Sequence, residues 1–162
     1  MAYTQASSSP VPAFRSVPFV ELRQSLPSRI SVISPFVEQL MRFIATFRNR
    51  DGSEMNIEMA LREALANAIL HGNRQDPRKC VHVACRCTTD GEVSIGVEDE
   101  GQGFDVDSVP DPTAQENRLL AHGRGIYLMK TLLDEVRFER RGAVVYMRKA
   151  SNAKPTAGRK KA

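Results

Sequence analysis

The chain predicts an α+β fold: a two-layer sandwich, with a mixed, largely antiparallel sheet and three main helices on one face. Two observations carry this. Short alternating apolar segments occur in pairs joined through a glycine, the signature of antiparallel hairpins. Around those pairs lie three stretches with apolar residues at helical spacing, each needing a sheet to cover its apolar stripe. At 162 residues the chain suffices for one domain with a real core.

Residues 1–16, rich in Ser and Pro, read as a disordered leader before a domain over 17–149. Phe19 to Leu26 alternates as a strand. A helix follows from about Ser34, with Pro35 suited to its first turn. Its stripe is Phe36, Val37, Leu40, Met41, Ile44 and Phe47, and Asp51-Gly52 breaks it. A second helix runs from about Glu54 to His71 and stops at Gly72. Val81–Thr88 and Val93–Glu98 are two strands turned by Asp90-Gly91. Residues 105–121 lack periodicity and contain Pro110 and Pro112, so they form a long loop of the kind that serves as a lid. A third helix spans about Gly125 to Asp134, and the strands Glu135–Arg140 and Ala143–Arg148 close the domain.

Composition narrows the function classes. The share of hydrophobic residues is 41% and of charged residues 26%, ordinary for a globular protein. No apolar run is expected to approach a membrane span, and no signal peptide is read, so a cytoplasmic protein is expected. The net charge of +4 is uneven: Lys149, Lys154, Arg159, Lys160 and Lys161 lie in 149–162 without an acid, so residues 1–148 sum to −1. The body therefore carries no footprint for nucleic acid, and 150–162 reads as a basic flexible tail. Cys80, Cys85 and Cys87 fall in one strand with only His82 near, too few ligands for zinc; they read as buried reduced thiols.

Three segments carry chemistry. In the second helix Ile57, Leu61, Ala64, Leu65, Ala68 and Ile69 form the core stripe, with Met59, Ala66 and Leu70 opposite. Glu63 and Asn67 share that opposite side, four residues apart and stacked. They are either a partly exposed polar pair, or a general base (Glu63) and an oxygen ligand (Asn67) to a Mg²⁺ that holds phosphates. In Asp99-Glu100-Gly101-Gln102-Gly103-Phe104, a strand ends in an acid and two glycines bare the backbone. That is a plain turn, or a carboxylate acceptor beside a main chain that a flat ring can approach. The spacing is neither an EF-hand nor a dinucleotide fingerprint, whose third glycine is replaced by Val106. Gly123-Arg124-Gly125 opens the third helix; it is a hinge, or a set of N–H donors and a cation for phosphate. No Walker A sequence occurs.

Together the three segments resemble the GHKL superfamily of ATP-binding domains: gyrase, heat-shock chaperones, histidine kinases and MutL. Glu63-x-x-x-Asn67 is similar to its N box, Asp99-x-Gly101-x-Gly103-Phe104 to its first glycine box, and Gly123-x-Gly125 to its second. "EALANAILHGN" and "HGRGIYLMKTLLDEV" most resemble bacterial anti-sigma-factor serine kinases, over roughly residues 18–149. The resemblance implies a Bergerat-type fold. Asp99 would receive the adenine amino group, Gly101 and Gly103 would admit the base, and Asn67 would ligate Mg²⁺. The 105–121 loop would be the ATP lid, Gly123, Arg124 and Gly125 would hold the phosphates, and Glu63 would activate a partner's serine. One departure stands out: the family often has Thr after the glycine before the last strand, and here Gly142 precedes Ala143.

The expected function is thus an ATP- and Mg²⁺-dependent serine protein kinase and anti-sigma factor. It would phosphorylate an anti-sigma-factor antagonist and bind a sigma factor, as a possible homodimer, without nucleic acid or membrane. The alternatives are a non-catalytic ATP-binding regulatory module and a detached histidine-kinase-like ATPase domain.

Overall fold

The computed structural model describes residues 17–103 and 124–152. The order is β1 (Phe19–Pro27), a 3-10 turn, α1 (Ile33–Phe47), α2 (Glu54–Asn67), a π-helical turn (Ala68–Gly72), β2 (Cys80–Thr88), β3 (Val93–Asp99), α3 (Arg124–Leu132), β4 (Glu135–Glu139) and β5 (Val144–Lys149). The strands form one sheet, β1-β2-β3-β5-β4. All four pairings are antiparallel, so the mixed sheet expected contains no parallel pair among the described residues. The leader, residues 104–123 with the expected lid, and residues 153–162 lie outside the described residues.

Strand alternation decides which face is covered. Val81, Val83, Cys85 and Cys87 of β2 are buried, and so are Val93, Ile95 and Val97 of β3 and Val145 and Met147 of β5. Register places Val83 opposite Val97, Cys85 opposite Ile95, and Ile95 opposite Met147, so one face is a continuous apolar floor. Val37, Leu40 and Ile44 of α1 and Ile57, Leu61 and Leu65 of α2 cover it, with Met129 of α3. Each fully buried aliphatic side chain there contributes about 1.5–3 kcal/mol. The other face carries ion pairs instead, Arg86 with Glu21 and Arg148 with Glu92 and Glu135.

Two expectations need amendment. The stretch Ile30–Phe47 is 18 residues long with mean hydropathy 1.2, enough by length and composition for a membrane span. Its apolar residues Ile33, Phe36, Val37, Leu40 and Ile44 are used in the core, however, and Glu38 and Arg42 occupy its other side. The second helix does not continue regularly to His71; it becomes a π turn after Asn67. Of the cysteines, Cys85 and Cys87 are buried and Cys80 is half-buried, and all three thiols are free.

Far from the glycine segments, Arg48 ties the layers together. It is 4% exposed. Its guanidinium donates to the carbonyls of Gly91 and Ala150, to Ser53 Oγ at 2.8 Å and to Asp51 Oδ2 at 2.6 Å. The residues 150–152, assigned to the tail, are anchored here as well: Ala150 N–H donates to Asp134 and Asn152 N–H to Asp51. Burial pushes the Asp51 carboxyl up, but hydrogen bonds from Ser53 and Asn152 and the Arg48 charge outweigh it and hold the pKa at about 2. A carboxyl depressed by folding stabilises the native state above its ordinary value of 3.8, and that contribution is lost as pH falls towards about 2. Asp51→Asn is therefore expected to remove roughly 1–2 kcal/mol at neutral pH. It should also flatten the acid limb of stability between pH 3.8 and about 2, as read by urea melts across pH.

Candidate functional site

Inward-facing positions on β3 run Val93, Ile95, Val97 and then Asp99, so the strand ends by pointing an acid where the pattern puts an apolar residue. Asp99 is 5% exposed. Two glycines leave the space for it. A Cβ on Gly72 would lie 2.2 Å from the Asp99 carboxyl carbon, and a Cβ on Gly101 would lie 2.2 Å from the Gly72 carbonyl oxygen. Gly101 N–H donates to Asp99 Oδ1 at 2.8 Å, the one hydrogen bond of this side chain among the described residues. Burial raises the Asp99 pKa; that bond and the charges of Lys79 and Arg140 only partly offset it. An acceptor sheltered from water and short of donors suits a ligand that brings its own N–H.

The hydroxyl that the family often places after Gly142 is absent here. Ala143 is buried, and its carbonyl instead accepts the Asp99 backbone N–H at 2.9 Å. That bond holds the acid's main chain, while the carboxylate is held from Gly101.

The π turn brings Gly72 to this point. Asn73 N–H reaches back to the Ala68 carbonyl at 2.8 Å, one residue further than an α-helix allows. Asn73 itself, 1% exposed, was not anticipated as a site residue. Its amide donates to Ser28 Oγ and to the Cys80 carbonyl, both at 2.7 Å, and its oxygen accepts the Glu100 N–H at 2.8 Å. One side chain thus pins the ends of β1 and β3 and the start of β2. After a helix-stopping glycine an Asn reads as ordinary turn chemistry, so nothing local signalled this. Glu100 turns to the opposite face, accepting from Cys80 N–H and meeting His82 Nε2 at 3.0 Å.

Glu63 and Asn67 are half-buried on α2, as their shared face predicts. The start of α3 lies directly over them. A Cβ on Gly125 would lie 2.5 Å from Glu63 Oε2 and 3.4 Å from Asn67 Nδ2. Neither side chain has a hydrogen bond among the described residues. Arg124 is exposed at the same helix start, while Gly123 and Phe104 lie outside the described residues. Gly103 has φ 75°, and a Cβ there would lie 2.3 Å from the Arg141 carbonyl oxygen. Of the predicted residues, then, the fold gathers Glu63, Asn67, Arg124 and Gly125 at one end, and Asp99, Gly101 and Gly103 at the other. Along the helix from Glu63 to Gly72 the separation is about 13 Å.

Glu63 and Asn67 offer oxygens to a divalent cation, but among the described residues no group of three or more His, Cys, Asp or Glu side chains forms a cage. A Mg²⁺ at this end would have to complete its shell with phosphate and water, as that ion commonly does.

The helix-covered antiparallel sheet, with a buried acid and close-packed glycines at one strand end, is that of an ATPase-type domain. The family model described as "Histidine kinase-like ATPase domain" matches residues 26–149, and the chain belongs to that family. Among its relatives, an "Anti-sigma F factor" from Geobacillus stearothermophilus is 32% identical over 119 residues, covering 70% of this chain and 81% of the relative. A "Serine-protein kinase RsbW" from Bacillus subtilis is 33% identical over 104 residues, covering 60% of this chain and 64% of the relative. A crystal structure of the RsbU and RsbW domains of a Mycobacterium tuberculosis protein superposes with a TM-score of 0.56. At 20% identity, over 82% of this chain and 32% of that one, it shows the shared fold.

The contact between Gly72 and Asp99 is directly testable. Gly72→Ala is expected to lower Tm by forcing the carboxylate aside, and to do so much less in an Asp99→Ala background. The coupling read from the four melting curves should fall at about 0.5–3 kcal/mol. Additive effects would mean that the two residues do not compete for one space.

Proposed function

We propose that the chain is an ATP-dependent serine protein kinase of the anti-sigma-factor type. It binds Mg-ATP, transfers the γ-phosphoryl group to a serine of an anti-sigma-factor antagonist, and binds a sigma factor, as a cytoplasmic protein. The observation that carries this reading is Glu63: a carboxylate with no hydrogen bond among the described residues, facing a glycine helix start, one turn from Asn67. The two bacterial relatives, an anti-sigma factor and a serine-protein kinase, support the partner classes.

In this reading Asp99 accepts the adenine amino group, and Gly101 and Gly103 let the base reach the backbone. Asn67 contributes an oxygen to Mg²⁺, which when bound would neutralise phosphate charge. Gly123, Arg124 and Gly125 hold the phosphates with backbone N–H groups and a guanidinium, where the positive end of α3 adds to the field. The acceptor serine Oγ attacks the γ-phosphorus as its bond to the ADP oxygen breaks, and Glu63 takes the hydroxyl proton. Such transfer depends on position and charge stabilisation more than on covalent help, which suits a site with one acid and many donors.

Incubation with Mg-ATP and the antagonist, alongside Glu63→Gln, tests the chemistry. Phosphoserine formation is expected to fall by about 10²–10⁴-fold in the variant with nucleotide affinity retained. Equal phosphorylation by both proteins would remove Glu63 from its role, and nucleotide binding with no transfer by either would favour a non-catalytic module. Asp99→Asn tests the other end. Because folding raises the Asp99 pKa, its ionised form opposes stability: the folded state binds a proton more readily, and stability drops as pH rises through the raised value. Asp99→Asn is therefore expected to raise the Tm of the nucleotide-free protein at pH 7. It should also weaken ATP binding about tenfold or more, the worth of a hydrogen bond to a charged group.

A further inference from the structure

Three consecutive residues in the β4–β5 turn have positive φ: Arg140 at 50°, Arg141 at 56° and Gly142 at 81°. Glycine adopts that region freely, whereas arginine does so at a cost, and Asn or Asp would serve such a turn better. The turn closes with Gly142 N–H to the Glu139 carbonyl at 3.0 Å and Ala143 N–H to the Arg140 carbonyl at 3.3 Å. Hydrogen bonding within the turn therefore gives no reason for two arginines.

Its position does. A Cβ on Gly103 would lie 2.9 Å from Arg141 Cβ, and the next residue after the turn, Ala143, accepts the Asp99 N–H. The strained turn thus borders the buried carboxylate on one side. A second left-handed pair, Arg74 at 53° and Gln75 at 55°, borders it on the other, directly after Gly72-Asn73. Among the described residues, these two pairs account for every non-glycine position with positive φ. Backbone strain gathers in this way where a binding site, and not the turn, dictates the residue.

The two arginines of the turn have different surroundings. Arg140 is paired with Glu98. Arg141 is exposed and makes no hydrogen bond or ion pair among the described residues. We propose that Arg141 is a purine-binding residue, whose guanidinium caps the flat face of the base held by Asp99 beside Gly103. A planar, weakly hydrated cation suits an aromatic ring at a pocket rim, and Gly103, without a side chain, lets the backbone of the turn pack directly against this end of the site. The proposal rests on the assignment of Asp99 as the adenine acceptor.

Arg141→Asn separates turn from ligand, because Asn tolerates the left-handed region. Its Tm without nucleotide is compared with that of the wild type, and the affinities of both proteins for AMP, ADP and ATP are measured by calorimetry. The expected result is a raised Tm with a loss of about threefold to fivefold, the same for all three nucleotides, as a rim cation on a ring would give. A loss that grows with the number of phosphates would place Arg141 on the phosphates and overturn the proposal. Unchanged affinity would overturn it too, leaving the turn unrelated to the ligand. Failure of the wild type to bind any of the three would instead overturn the Asp99 assignment, and this proposal with it.

Discussion

Burial of one carboxylate organises this molecule. Asp99 occupies an inward position on β3 that alternation would give to an aliphatic side chain, and it is there because Gly72 and Gly101 carry no side chains. Removing a charge from water is costly unless it is paired, and the raised pKa of Asp99 records that the compensation is partial. The surrounding structure meets the demand of geometry rather than of charge. The π turn sets Gly72, Asn73 locks three strand ends, and the Ala143 carbonyl holds the backbone of Asp99.

The rest of the site hangs from the same helix. α2 carries Glu63 and Asn67 on its outer side and, nine residues beyond Glu63, delivers Gly72 to Asp99. Its core stripe is packed against the sheet, so the two ends of the site keep a fixed separation. α3 then lays Gly125 over the glutamate, so that two helices and one strand end frame the candidate site. The opposite end of the sheet needs no such openness. There both terminal nitrogens of Arg48 are engaged, while its Nε is buried without a partner among the described residues.

Much of this was legible in the chain. Apolar periodicity gave α1 and α2 to within a residue or two at their starts, and the Asp90-Gly91 turn gave the β2–β3 hairpin, because those signals are local. The pairing of Glu63 with Asn67 followed from helical spacing, and α2 places them as expected. Asn73 was missed for the opposite reason. Two of its three partners, Ser28 and Glu100, are distant in sequence, and no spacing rule connects them to each other or to Cys80. The length of α1's apolar stretch was also underread, since amphipathic helices and membrane spans differ in where their polar residues fall more than in how many there are.

Residue types and local order determined that this chain would form hairpins and helices in an α+β arrangement, and that an acid followed by two glycines would end a strand. Those are properties of neighbours along the backbone. Tertiary structure decided what the acid meets: Gly72 brought across by a π turn, Gly125 set over Glu63, and a strained Arg140-Arg141 turn against Gly103. Such contacts depend on angstrom-scale approach between segments far apart in the chain, and only packing sets distances of that kind.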